Sequence, residues 1–358
     1  KNLKLFVKER KDIEIFCFNR EHHISSLFEI VQKADFIFHL AGVNRSKNIE
    51  DFYEGNVGFT KALCDVVRKT ERKIPIIYTS SIQADQESPY GSSKRKAEDQ
   101  LLALNKDCEV PIHIFRLTNV FGKWSKPNYN SVVATFCNNI IREIPINIDD
   151  ENNCIELVYI DDVIKKFIEL IFNPESETKY KVYKTISPSY NITVGKLAEK
   201  LYAFKEININ NTVENVGTGL LRALYSTYIS YLPKEKFSYP IISKKDQRGK
   251  FIEILKTQNC GQFSYFTALP GVTRGGHYHH TKSEKFLVVK GKACFKFFHM
   301  DTKMKYELSV DGDEPQIVET IPGWSHSITN TGDEELIAFL WANEIYDPNN
   351  PDTFSYQL

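Results

Sequence analysis

The chain has 358 residues, 46 Lys and Arg against 46 Asp and Glu, and a formal net charge of zero; 42% of its residues are hydrophobic and 26% charged. A balanced charge without a long basic run excludes nucleic acid or an anionic membrane surface as the main partner. No apolar stretch approaches the roughly 20 residues needed to cross a bilayer.

The length suits two domains. Seven cysteines, at positions 17, 64, 108, 137, 154, 260 and 294, are scattered without a C-x-x-C pair. Most fall in apolar strands or helices, which predicts reduced core thiols of a cytoplasmic protein. No signal peptide is visible, and Lys1 is not expected to be the true start.

Residues 1–125 alternate helix and strand. Leu3–Lys8 reads as a short helix, Ile13–Phe18 as a strand, and residues 24–33 as a helix. Asp35–Gly42 reads as a buried strand running into a glycine turn, residues 56–71 as a long helix, and Ile74–Ser81 as a strand. A helix over 89–105 carries Tyr90 and Lys94, and Ile112–Leu117 is the next strand. Such alternation predicts βαβ units and a doubly wound, mostly parallel sheet, with ligands at the C-terminal ends of its strands.

The unusual residues cluster at those ends. Ser80 and Ser81 close one strand, and Tyr90 and Lys94, four apart, share one helix face. An ammonium beside a phenol favours the phenolate, so Lys94 is expected to lower the pKa of Tyr90 toward the range useful for proton transfer. A hydroxyl from Ser81 can hold a substrate oxygen nearby. At the end of the strand Ile13–Phe18 stand Phe18-Asn19-Arg20. Arg20 suits a ribose 2′-phosphate, which favours NADPH over NAD.

Leu40-Ala-Gly-Val, Asn56, Thr79-Ser-Ser81, Tyr90-Gly-Ser-Ser-Lys94, Arg116-Leu-Thr-Asn119-Val-Phe-Gly122 and Val158-Tyr-Ile-Asp-Asp162 follow in order. Over about residues 1–240 this order resembles the extended short-chain dehydrogenase/reductases, within them the enzymes of nucleotide sugars. The resemblance implies a Rossmann-like fold and a catalytic triad of Ser81, Tyr90 and Lys94. Tyr90 protonates a carbonyl oxygen during hydride delivery, and Lys94 tunes Tyr90 and holds the nicotinamide ribose. It also implies that Leu40, Ala41, Gly42, Asn56 and Thr79 line the cofactor and that Asn119 meets the substrate. The family's first strand and its G-x-x-G-x-x-G phosphate loop are absent here. Roughly a dozen or more residues are therefore expected to precede Lys1.

The turn-rich stretch Phe121–Ser131 follows the last parallel strand, where this family binds substrate; Lys126, Tyr129 and Asn130 are candidates for diphosphate or sugar contacts. Residues 193–206 and Leu220–Leu232 read as amphipathic helices. The second carries Tyr225, Tyr228 and Tyr231 at three-residue spacing, a stripe expected at a domain or subunit interface.

The pattern changes near Pro233–Pro240, which divides the chain into residues 1–240 and 241–358. Beyond it come short strands with turns, at 263–268, 286–290, 293–299, 305–310, 316–321 and 335–342, predicting an all-β barrel or jelly roll. In Gly271–Gly291, His277 and His279 stand two apart, so on a strand they point to one face. Glu284 can return to the same point after a turn, and His326 in Pro322–Asn330 is a natural fourth member. Three His and one carboxylate suit a divalent metal, zinc first, with open coordination positions.

Gly271, His277, His279, Glu284 and Gly291 resemble the first cupin motif, and His326 with Asn330 the second, although Pro322-Gly323 lacks the usual intervening residue. The entry Lys245–Glu253 resembles cupins that epimerise or isomerise nucleotide 4-keto-6-deoxy sugars. Arg274-Gly-Gly-His277-Tyr278 also matches the R-G-x-H-Y segment that supplies the base His in metal-free sugar epimerases. His277 is assigned as a ligand, leaving His280 and Tyr278 as base candidates. Arg274 and Lys285 can hold phosphates or a keto oxygen.

A reductase followed by such a cupin resembles the bifunctional capsule-synthesis enzymes of the UDP-N-acetyl-L-fucosamine pathway. The resemblance implies C3 epimerisation of a UDP-2-acetamido-2,6-dideoxy-4-hexulose in the cupin and NADPH reduction of the C4 ketone in the first half. It further implies a cytoplasmic homodimer. The rival reading is an NAD-retaining epimerase or dehydratase with a non-catalytic cupin.

Overall fold

A strand covered on both faces needs apolar side chains at consecutive positions, and Ile76, Ile77 and Tyr78 provide them. In the computed structural model, which describes residues 1–8, 10–172, 182–257, 259 and 261–356 apart from the side chain of Asn208, these three lie in the middle of a parallel sheet. The chain divides into two compact units, residues 1–201 with 223–231, and residues 202–222 with 232–358.

The first unit contains α1 (Asn2–Lys8), α2 (Leu27–Lys33), β1 (Ile37–His39), α3 (Ile49–Phe52), α4 (Phe59–Lys69), β2 (Ile76–Ser81), α5 (Pro89–Cys108) and β3 (Ile112–Leu117). It continues through β4 (Asn119–Phe121), α6 (Val132–Ile141), β5 (Cys154–Tyr159), α7 (Ile160–Phe172), β6 (Tyr183–Lys184) and β7 (Tyr190–Thr193). Four parallel strands run in the order β1-β2-β3-β6; β4, β5 and β7 form a second small sheet. Alternating residues of β2 and β3 supply two cores. Ile76, Tyr78, Ile112 and Ile114 pack with Leu63 and Val67 of α4 and Leu101 and Leu104 of α5. Ile77 and Phe115 pack on the other face against Val163 and Phe167 of α7. This is the expected doubly wound arrangement.

Three expectations need correction. Residues 13–18 join no ladder among the described residues; β1, the edge of the sheet, pairs only with β2. The helix expected over 56–71 is α4 preceded by a π-helical turn at Tyr53–Gly58. Only Cys64 and Cys137 of the described cysteines are buried thiols; Cys17 and Cys154 are exposed, and Cys260 lies outside the described residues.

The helices α8 (Val194–Asn210) and α9 (Gly219–Ile229) match the two amphipathic segments. Of the tyrosine stripe, Tyr228 is buried and the Tyr231 hydroxyl donates to Ser125 O at 2.6 Å, within the first unit. Among the described residues, no helix is long and apolar enough to cross a membrane.

The second unit adds β8 (Thr212–Val213), β9 (Ser243–Asp246), β10 (Gly249–Thr257), β11 (Gly261–Ala268), β12 (Thr273–Tyr278), β13 (Glu284–Lys290) and β14 (Lys292–His299). It ends with β15 (Lys305–Asp311), β16 (Ile317–Thr320), β17 (Trp324–Asn330), β18 (Leu336–Ala342) and β19 (Phe354–Ser355). One sheet has the order β16-β13-β18-β11-β10-β8 with β9 on β10; the other is β15-β14-β17-β12-β19. Phe266, Phe286 and Ala338 of the first sheet meet Ala293, Phe295 and Ile328 of the second in one core. Two sheets burying alternate residues between them make the predicted jelly roll.

Candidate active sites

Helix α5 places the reductase residues. Ser88 caps its first turn, accepting from Gly91 N–H at 3.0 Å, and Pro89 occupies the first position. A Cβ on Gly91 would lie 2.2 Å from Gln83 O and 2.6 Å from Gln86 O. Only glycine lets the helix press so close to the 82–86 turn, and that contact sets Tyr90 beside the end of β2. The Ser81 hydroxyl accepts from Gln83 N–H at 3.2 Å and lies near enough to Tyr90 to favour its ionised form.

Lys94 is 4% exposed; its Nζ donates to Thr79 O at 2.7 Å and sits 4.3 Å above the Tyr78 ring. Burial pushes its pKa down to about 8, with the Glu98 carboxylate pulling upward. The pKa of Tyr90 is raised, chiefly by burial, with the Ser81 hydrogen bond opposing. The expected lowering of Tyr90 by Lys94 is thus corrected: the ammonium is engaged by a carbonyl and a different ring, and desolvation dominates the phenol. A phenol kept protonated suits the role of acid.

Asn56, 1% exposed in the π-helical turn, bridges the β1 end to α5. Its Oδ1 accepts from Val43 N–H at 2.8 Å, and its Nδ2 donates to Val43 O at 2.9 Å and Ser93 Oγ at 2.8 Å. Thr60 Oγ1 donates to Asn56 O at 2.6 Å, so the His39 Nε2 that meets it at 2.7 Å is the donor. A Cβ on Gly42 would lie 2.8 Å from Asn56 Oδ1 and 3.7 Å from Lys94 Nζ.

A cleft of about 470 Å³ collects Leu40, Ala41, Gly42, Asn56, Thr79, Ser81, Tyr90, Lys94, Asn119, Tyr129 and Asn130 among its lining. The predicted residues therefore come together from six separate segments, and a glycine floor with a buried ammonium and amide fits a nicotinamide nucleotide. Arg20 is exposed at the turn after residues 13–18 and does not line this cleft. Lys126 Nζ lies 5.5 Å from the Tyr129 ring, whose hydroxyl donates to Asn44 Oδ1 at 2.9 Å.

Sequence reasoning missed the buried group behind Lys94. Glu98, 1% exposed, accepts from Arg116 Nε at 3.0 Å, Arg116 Nη2 at 2.6 Å, the Tyr183 hydroxyl at 3.1 Å and the Ser80 hydroxyl. Arg116 also donates to both oxygens of Asp85, at 2.8 and 2.9 Å. A carboxylate four residues beyond Lys94, on the same helix face, was the available signal.

In the second unit, His277 on β12 lies opposite His326 on β17, with a bulge between Gly275 and His277. Gly275 has φ +86°, and a Cβ there would lie 2.9 Å from His326 O. The donor atoms of His277, His279, Glu284 and His326 all lie within 4.8 Å of one another. Glu284 Oε2 stands 3.2 Å from both His279 Nε2 and His326 Nε2. The approach to His326 is not aligned as a hydrogen bond, so both its ring nitrogens are buried without a partner. Burial, then the neighbouring His326, pushes His277 down to about 4, while Glu284, which burial would raise, is held below the usual carboxylate range by the adjacent His279, His326 and Lys282. Three imidazoles and one carboxylate converging on a point, with the His326 ring nitrogens unpartnered, are the donor set a divalent cation needs.

The other predictions divide. Tyr278 stacks on Phe354 at 5.4 Å and His280 meets the same ring at 4.7 Å, so both group with β19 rather than with the four clustered side chains. Arg274 Nε donates to Thr267 O at 2.9 Å, and its guanidinium lies 5.3 Å from the Phe266 ring. Lys285 is exposed beside buried Glu284 and pairs with Glu319; strand alternation turns it to the opposite face from the cluster. Lys282 was missed: it is buried, with Nζ 3.7 Å from Glu284 Oε1.

Residues 8–185 match the NAD dependent epimerase/dehydratase family, and residues 244–354 the polysaccharide biosynthesis C-terminal domain. The chain is 52% identical over 355 residues to the UDP-2-acetamido-2,6-beta-L-arabino-hexul-4-ose reductase of Pseudomonas aeruginosa, covering 99% of this chain and 95% of that protein. The capsular polysaccharide assembling protein CapF of Staphylococcus aureus superposes with a TM-score of 0.91 at 39% identity, over 100% of this chain and 96% of that one. The UDP-glucuronic acid 4-epimerase of Bacillus cereus, in complex with NAD, shares the fold at a TM-score of 0.52 and 17% identity, over 66% of this chain and 87% of that one.

Proposed function

This chain belongs to the family of CapF and the UDP-2-acetamido-2,6-beta-L-arabino-hexul-4-ose reductase, and from that membership we propose a bifunctional nucleotide-sugar enzyme of capsule synthesis. Residues 1–240 act as an NADPH-dependent C4 ketoreductase and residues 241–358 as a C3 epimerase. The substrate is a UDP-2-acetamido-2,6-dideoxy-4-hexulose and the product the L-talo-configured sugar, precursor of UDP-N-acetyl-L-fucosamine. What carries the reading is that one chain holds two complete chemical sets: a Ser81–Tyr90–Lys94 cleft and four metal-type ligands within 4.8 Å.

The reduction needs a hydride, which the bound nicotinamide supplies, and a proton. Tyr90 delivers that proton to the C4 oxygen while the Ser81 hydroxyl orients the carbonyl. Lys94 holds the nicotinamide ribose and, as an ammonium, makes the phenolate left behind less costly. Arg20 favours NADPH through its charge near the 2′-phosphate. Asn119, Lys126, Tyr129 and Asn130 contact the sugar or its diphosphate.

For epimerisation, the C4 ketone acidifies the proton on C3, so the site needs a base and a positive charge near the enolate oxygen. A divalent metal, zinc first, held by His277, His279, Glu284 and His326 would supply Lewis acidity there. His280 or Tyr278 removes the proton, and Arg274 contributes a substrate contact; Lys285, paired with Glu319 on the other face of its strand, is left out of the site. The enzyme is placed in the cytoplasm, where NADPH and UDP-sugars are made, as a homodimer.

The test is incubation with the UDP-4-keto sugar in D2O without NADPH, reading deuterium at C3 by mass spectrometry. Uptake that disappears in His326→Ala supports an epimerase that acts before the reductase. No uptake in the parent protein sinks the epimerase and leaves the Ser81–Tyr90–Lys94 site as the catalyst.

A further inference from the structure

The cupin motif residues do not hold themselves in place. The segment Asp352–Tyr356, more than twenty residues beyond the last of them, runs along the cluster and touches the support of every member. Asp352 O accepts from His279 Nδ1 at 2.5 Å, which fixes the ring orientation and points Nε2, 3.2 Å from Glu284 Oε2, into the cluster. The Asp352 carboxylate accepts from His280 N–H at 2.8 Å, Thr281 N–H at 2.7 Å, Lys282 N–H at 2.8 Å and the Thr281 hydroxyl at 3.0 Å. It thereby shapes the loop between His279 and Glu284.

The next residues do the same for the other three members. Lys282 Nζ donates to Thr353 Oγ1 at 3.2 Å while lying 3.7 Å from Glu284 Oε1, so Oε1 is engaged and Oε2 is turned toward the imidazoles. Strand β19 pairs Ser355 with His277 and Phe354 with Tyr278. Ser325, the neighbour of His326, donates its hydroxyl to Tyr356 O at 3.1 Å, and Tyr356 N–H donates to Gly276 O at 2.8 Å.

We infer that Asp352–Tyr356 is a strap that completes the metal centre from outside the two sequence motifs, and that Asp352 is its chief positioning residue. The inference rests on the metal reading proposed above. A ligand imidazole whose second nitrogen is held by a carbonyl is a better donor and loses less freedom on binding. Removal of such outer partners typically costs about 10–100-fold in metal affinity. The carboxylate acts at a second point: without it three backbone N–H groups of the loop lose their acceptor, and the spacing from His279 to Glu284 is free to relax.

The experiment measures zinc affinity of the full chain by competition with a chromophoric chelator, for the parent, Asp352→Ala, Asp352→Asn and His326→Ala. The visible spectrum of the cobalt(II)-loaded proteins reports ligand geometry separately from activity. Asp352→Ala, which keeps the carbonyl on His279 but releases the 280–282 loop, is expected to bind zinc about tenfold more weakly, the low end of the range for outer partners, with altered cobalt bands. Asp352→Asn, which keeps one acceptor oxygen, should fall between it and the parent. Parent-level affinity and unchanged cobalt bands in Asp352→Ala, beside a His326→Ala that has lost the metal, overturn the strap. Parent-level affinity in His326→Ala refutes the metal site instead, which keeps the two failures distinct. If Asp352→Ala does not fold, Asp352→Asn carries the test, and parent-level zinc affinity in that variant overturns the strap.

Discussion

Replacing Glu98 by Gln probes the link between the buried ion pair and the reductase centre. Glu98 accepts from Arg116 at 2.6 and 3.0 Å, from the Tyr183 hydroxyl at 3.1 Å and from the Ser80 hydroxyl. Glutamine turns one oxygen into an NH2 that must face a guanidinium N–H or a phenol O–H, donor against donor. Breaking a fully buried pair by removing one partner costs about 3–5 kcal/mol. Arg116 is a quarter exposed and keeps Asp85 at 2.8 Å, so part of its charge stays compensated. Hydrogen bonds to charged groups contribute about 1.5–3 kcal/mol each, which puts the expected loss near 2–3 kcal/mol. Hydrogen exchange of peptides spanning 76–117, followed through a urea series, reads that loss where it arises. The second readout is the pH profile of the reduction. Burial pushes the Lys94 ammonium down to about 8, and Glu98 partly restores it. Removing the carboxylate disfavours the ammonium, so the alkaline limb of kcat/KM, which reports the free enzyme, should move to lower pH. An Asp85 that fully compensates Arg116, with stability within about 0.5 kcal/mol of the parent and an unmoved limb, would refute the reasoning.

Gly91→Ala introduces a Cβ 2.2 Å from a backbone carbonyl, so the helix must retreat from the 82–86 turn. A cost of about 1–3 kcal/mol is expected, with a fall in kcat for ketone reduction as Tyr90 moves off Ser81; an unaltered kcat and thermal midpoint would count against the close-approach argument. Tyr90→Phe should lower the reduction rate by about 10²–10⁴-fold, the usual contribution of a positioned acid, while deuterium uptake at C3 persists; equal loss of both activities would mean one shared centre. Asn56→Ala leaves Val43 N–H and Val43 O without their buried partner at about 1–3 kcal/mol each, and NADPH titration should show weakened binding; retained affinity would remove Asn56 from the cofactor site.

How much of this was legible depends on the range over which each feature is decided. Period-two and period-3.6 apolar patterns are local, so β2, β3, α5 and most barrel strands could be read directly. Residue spacing is local too. Two histidines on one strand face, or a Tyr and a Lys one helical turn apart, converge in any fold that keeps those elements. That is why both candidate sites, and the resemblance built on their motifs, were present in the sequence alone. What depends on a distant partner was not. Residues 13–18 have a strand's composition, yet join no ladder among the described residues. Lys285 has a ligand-like position, yet β13 turns it outward to Glu319. The pKa of Tyr90 moves up rather than down because desolvation sums over everything packed around the phenol, whereas spacing reveals only Lys94. Glu98 meets Arg116 across 18 positions, and His279 meets Asp352 across 73. Composition and periodicity therefore determined the two units and their chemical residues. Only the tertiary structure decided which of those residues are buried, which are held, and which distant segments hold them, because pairing and burial are properties of the packed chain.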